Sequence, residues 1–178
     1  MRKGLVRMGI VIFAVLMVIL FLEVTERWNS YDSPEEALLN EDSPALPVEE
    51  VISTEFYEET GAAYVIFYSQ VEEPKDYVAV AAIEQNRNGW RFIDIGGVGY
   101  ADDPNPGSHI GIDNRYYSGL ASAEVAEVRV GEHEIATLQL EGSDASIWLL
   151  DNIDKDDLNG EDLEFLDQDG ELLDSYPF

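Results

Sequence analysis

Residues 5–22 read LVRMGIVIFAVLMVILFL, an apolar run that only Arg7 interrupts. From Met8 to Leu22 it carries no charge, and with residues 4–6 it approaches the ~20 residues that cross a bilayer as a helix. Arg7 lies near one end, where its long stem lets the guanidinium reach the interface. A helix that is apolar on every side does not belong on the surface of a soluble domain. The run therefore predicts a membrane anchor, with the remaining chain folding apart from it. Arg2, Lys3 and Arg7 are the basic residues here, and all 37 acids come at Glu23 or later. That asymmetry predicts a cytoplasmic N-terminus and a single-pass cell-membrane protein with its C-terminal domain extracytoplasmic. A cleaved signal peptide shares the basic-then-apolar plan. The following LFLEVTERW, however, lacks the small residues that a cleavage site places at −3 and −1.

About 150 residues remain beyond the anchor, enough for one ordinary domain or two small ones. Of the 178 residues, 46% are hydrophobic and 11% aromatic, which suits a packed core rather than a disordered tail. There is no cysteine, so disulfides, thiolate zinc sites and cysteine nucleophiles are excluded. With three of the 10 Lys+Arg residues at the anchor, the outer part carries a net charge near −30. Such a surface repels nucleic acid and anionic lipid. Its plainest meaning is solubility, with cation binding or a basic partner as the more specific readings.

Residues 23–32 form a membrane-proximal spacer in which Trp28 and Tyr31 suit either the lipid interface or packing on the domain. Ser33-Pro34-Glu35-Glu36 starts a short helix: Ser33 caps, Pro34 takes the first helical position and Glu36 completes a capping box. The period then changes to two. Strands are expected over 51–58, 63–69 (AYVIFYS), 77–85 (YVAVAAIEQ) and 90–95, with Asn88-Gly89 as a hairpin turn. Segment 98–118 is rich in Gly, Asp, Asn and Pro and reads as a long loop or a joint. Alternation resumes in VAEVRV (125–130), IATLQL (135–140) and ASIWLL (145–150), and Asp169-Gly170 marks a last hairpin. The expected fold is α+β to mainly β: a transmembrane helix, a short helix on an antiparallel β-meander over 33–97, the loop 98–118, and a small antiparallel β-sandwich-like unit over 119–178.

SPEEALL followed by a meander ending in NGWRFIDIGG, then VAEVRV, IATLQL and ASIWLL closing on a DQDG turn, make a pattern that spans most of the chain. With the basic and apolar N-terminus, it resembles uncharacterised single-pass membrane-anchored surface proteins of Bacillus-like Gram-positive bacteria. The resemblance implies placement at the cell surface and brings no activity and no functional residue with it.

The chemistry-bearing residues are sparse. Acids in DNIDKDDLNGED (151–162) offer oxygens to calcium, with Asp151, Asp154, Asp156, Asp157 and Asn159 as candidate ligands, but the spacing departs from an EF-hand and a solvated loop is the simpler reading. No other cofactor is expected. Ser108 and His109 are too close in sequence to form a nucleophile–base pair, and there is no G-x-S-x-G elbow. GGVGY (96–100) lacks the Gly-Lys-Ser/Thr ending of a phosphate loop. With 37 acids, any one choice of a hydrolytic carboxylate pair is uninformative. Tyr100, His109, Arg115, Tyr116 and Tyr117 make the best interaction patch, because Tyr and Arg anchor interfaces and structured loops carry function. The same tyrosines would also serve to cap a core. The expectation is a non-catalytic extracytoplasmic interaction module for an envelope protein or cell-wall component, with a carboxylate-based surface hydrolase or a cation-binding sensor as alternatives.

Overall fold

The computed structural model describes residues 13, 15–18, 29–41, 44–71, 77–103, 108–110 (backbone), 116–153, 158 and 160–177. Most of the expected anchor lies outside them. Its described part, Phe13 and residues 15–18, is helical, with each side chain more than half exposed. Among the described residues no helix is long and apolar enough to cross a membrane.

The first half is built on strands β1 (Val48–Tyr57), β2 (Ala62–Ser69), β3 (Tyr77–Asn86) and β4 (Gly89–Tyr100), an antiparallel meander in sequence order. Two of its strands read as unbroken apolar runs because both faces of the sheet are covered. Ala63, Val65, Phe67, Ala79, Ala81 and Ile83 face helix α1 (Pro34–Leu39), where Ala37 and Leu38 complete the core. Their neighbours Tyr64, Ile66, Val78 and Val80 face the second sheet. One period-two alternation thus feeds two cores.

Helix α1 has six residues, so docking rather than propensity must hold it. Ser33 Oγ accepts from the Glu36 N–H at 3.2 Å, and Glu36 reaches back to the N–H of Asp32 at 3.3 Å, one residue before the cap. Tyr31 belongs to the domain: it exchanges backbone hydrogen bonds with Trp90 (2.9 and 2.8 Å) and packs on the helix-side core. That pairing explains Gly89, where a Cβ would come within 2.3 Å of the Tyr31 carbonyl oxygen. The β3–β4 turn is centred on Arg87-Asn88, one residue earlier than the Asn88-Gly89 signal, with Gly89 already paired to Asn86.

The second half adds β5 (Ser108–Ile110), β6 (Tyr116–Ser122), β7 (Glu127–Val130), β8 (His133–Gln139), β9 (Ala145–Asp151), β10 (Asp162–Leu166) and β11 (Leu172–Pro177). They form one antiparallel sheet in the order β11-β10-β7-β8-β9-β6-β5. This sheet folds over at β8, whose first half pairs with β7 and whose last three residues pair with β9. The layers so formed enclose a core of Tyr117, Trp148 and Leu150 on one side and Val128, Val130, Leu163 and Phe165 on the other. The expected sandwich-like unit is thus a single sheet bent back on itself. Its other face, through Tyr116, Leu120, Ile147 and Leu149, packs on the first sheet. The two halves therefore share a core.

In segment 98–118 the described residues are mostly strand. Its first three residues continue β4, 108–110 form β5 and Tyr116 begins β6. Its described glycine, Gly99, serves close packing: a Cβ there would fall 3.1 Å from Leu120 Cδ1 of the second sheet.

Candidate functional site

Of the expected aromatic patch, the two tyrosines of β6 are buried and do not share a face. Tyr116 and Tyr117 are 1% and 0% exposed, and as consecutive strand residues they point to opposite faces of β6, into different cores. Tyr100 is half-buried at the end of β4, its ring edge-on to Tyr77 with centroids 4.9 Å apart. His109 sits on β5 opposite Ser118 by its backbone. Its side chain and all of Arg115 lie outside the described residues.

Of the calcium candidates, Asp154, Asp156, Asp157 and Asn159 lie outside the described residues. Asp151 ends β9, and its carboxylate is already engaged between the sheets: Tyr64 donates to one oxygen and Thr60 to the other at 2.9 Å. Among the described residues no group of three or more acidic, histidine or cysteine side chains is placed to hold a metal ion.

A different site emerges where the halves meet. A cleft of about 850 Å³ opens between the end of β1 with its following turn and the β8–β9 pair. Ile66, Leu138, Ile147 and Leu149 supply apolar lining; Glu55, Glu58, Glu59, Glu132, Glu134 and Asp151 supply carboxylates. Among the described lining residues His133 is the one base, and no Lys or Arg is present. The volume falls in the range of ordinary ligand sites. A smaller chamber of about 350 Å³ adjoins it, sharing Thr60, Asp151 and Asn152, and adds Asp94, Tyr64 and Tyr116.

Local sequence explains this placement. The turn 58–61 closes with Gly61 at φ +66, a conformation that glycine takes without strain, and so brings Tyr57 and Tyr64 onto the same end of the β1–β2 hairpin. Their rings meet edge-on at 5.4 Å, and Tyr64 meets Tyr116 of the second sheet at 5.0 Å. Tyr57 crosses the interface to donate to the Leu149 carbonyl at 3.3 Å.

The protons at this junction belong to phenols. Burial, helped by the charges of Asp151 and Glu55, pushes the Tyr57 hydroxyl up to about 12. Tyr64 is raised as well, by burial first and then by its hydrogen bond to Asp151. Tyr116 is raised by burial and by the Asp94 charge. All three keep their protons at physiological pH, and Asp151 is the acceptor that the Tyr64 and Thr60 hydroxyls hold in place.

The sequence reading missed Tyr57, Thr60, Tyr64 and the Glu132–His133–Glu134 rim. The alternation in AYVIFYS placed Tyr64 on one face of β2, but nothing local says that this face meets a second sheet. The chain matches no family model, no curated protein and no solved structure.

Proposed function

We propose that this protein is a non-catalytic interaction module held at the outer face of the cell membrane by residues 5–22, and that its binding face is the cleft between β1 and β8–β9. The observation that carries the reading is the cleft itself, which joins apolar lining to carboxylate walls and contains no Lys or Arg among its described lining residues. An apolar floor supplies affinity through burial, and walls of one sign select partners of the opposite charge. The partner in this reading is an envelope protein or cell-wall component that presents positive charge. Nucleic acid is disfavoured by the charge of the whole outer part. The exposed, apolar, helical side chains at 13 and 15–18 favour the anchor, as do the basic residues before them.

Cross-linked capture from the protein's own membranes tests the reading, comparing the full-length chain with Glu132→Lys/Glu134→Lys. Both positions are exposed on the cleft wall, and the ion pair given up, Arg129 to Glu134 at 3.6 Å, is long and exposed, so the double variant should fold normally. Capture of a specific partner should fall at least tenfold. Undiminished capture by the folded variant would remove the cleft from the binding face.

A further inference from the structure

The cleft has a feature beyond shape and charge: it is a split in a β-sheet. The β8–β9 ladder consists of Thr137↔Trp148, Leu138↔Ile147 and Gln139↔Ser146. Beyond Trp148, β9 continues to Asp151 and remains paired with β6 on its other side, through Tyr117↔Leu150 and Tyr116↔Asp151. β8 meanwhile turns away to pair His133 with Val130 and Ala136 with Glu127. Among the described residues, then, no strand covers the β8-side edge of β9 at Leu149–Asp151. The diverging strands leave a wedge between them, and both of its walls line the same cleft.

An uncovered strand edge presents N–H and C=O groups whose natural partner is another strand. Here the Leu149 carbonyl accepts instead from a side chain, the Tyr57 hydroxyl, at 3.3 Å, a long bond for an O–H donor. The edge is short and recessed, so another folded sheet cannot approach it edge to edge. A single extended segment can enter the wedge.

Resting on the cleft as the binding face, we propose that its occupant is an extended, lysine- or arginine-bearing segment of a partner protein that adds as a strand along Leu149–Asp151. Main-chain hydrogen bonds would replace the Tyr57–Leu149 contact and supply affinity, as in other strand-addition complexes. Side chains alternate along the added strand. One set meets Ile66 and Leu138, and cationic side chains reach Glu55, Glu132 and Glu134 on the walls.

The test uses the full-length chain in detergent micelles and an array of blocked hexapeptides in which lysine alternates with Val, Leu, Tyr or Thr. The best binder is compared with its counterpart N-methylated at alternate amides, which keeps charge and side chains but removes main-chain donors. The unmodified peptide should bind at least tenfold more tightly than the methylated one and slow amide hydrogen exchange at Leu149 and Asp151. Equal binding of the two peptides, lost in Glu132→Lys/Glu134→Lys, would overturn strand addition while leaving an acidic binding cleft in place. Binding indifferent to both changes would overturn strand addition and the cleft together. Failure of every lysine peptide to bind would overturn the cationic strand, and the membrane capture experiment would then judge the cleft independently.

Discussion

The two faces of the four-stranded sheet are made from the same strands by the same alternation, yet they differ in chemistry. The buried face toward α1 is aliphatic around a single phenylalanine: Ala63, Val65, Phe67, Ala79, Ala81 and Ile83 close under Ala37 and Leu38, with Tyr31 and Trp90 at the margin. The face toward the second sheet carries Tyr64, with Tyr57 and Tyr68 at its margin. Its phenols make specific contacts across the interface, to Asp151 and to the Leu149 carbonyl. An apolar face needs only shape and volume. A phenolic face needs partners in fixed places, because a buried hydroxyl without one is destabilising. The helix side is accordingly a stabilising layer. The inter-sheet side both holds the halves together and forms the rim of the cleft.

The largest expected effect lies on the helix side. Phe67 is fully buried, and Phe67→Ala should destabilise the domain by about 3–5 kcal/mol, measured by chemical denaturation. A loss below about 1 kcal/mol would mean that this layer is loosely packed, and the contrast between the faces would fail.

Alkaline pH should act on the other face. Tyr57 is pushed up to about 12, and Tyr64 and Tyr116 are also raised. Native phenols keep protons that unfolded ones release above about pH 10, so stability is fully present below that pH. It should fall as pH rises from 10 through the native values. The urea midpoint should drop between pH 9.5 and 11.5, and less steeply in Tyr57→Phe. An identical drop in that variant would assign the alkaline sensitivity to other groups.

The smallest effect is expected at the helix cap. Ser33→Ala should cost about 1 kcal/mol, the usual worth of an N-cap hydroxyl. A cost matching Phe67→Ala would show that capping, rather than docking, secures α1.

Much of the fold was legible in the chain. AYVIFYS and YVAVAAIEQ are strands, Ser33-Pro34 begins the helix, and the DQDG turn forms, with Asp167 Oδ1 accepting from the N–H groups of Asp169 and Glu171 at 2.9 Å each. These features rest on alternation, capping and turn chemistry, which act over a few residues. The strand residues at the start of segment 98–118 were not legible for the complementary reason. Gly99 answers to Leu120, some twenty residues later, and no local pattern encodes a contact made between sheets.

The candidate site shows the same division. Charge, the apolar run at 5–22, the absence of cysteine and the spacing of strands are properties of sequence, and they determined a mainly β domain with an acidic surface and no thiol chemistry. That Tyr116 and Tyr117 are buried, that Asp151 faces Tyr64 and Thr60 across 91 or fewer residues of chain, and that β8 parts from β9 to open a cleft were decided by tertiary structure. Alternation tells each strand which residues share a face. Which face meets which depends on how the second sheet bends and stacks, a balance of contacts between residues far apart in the chain.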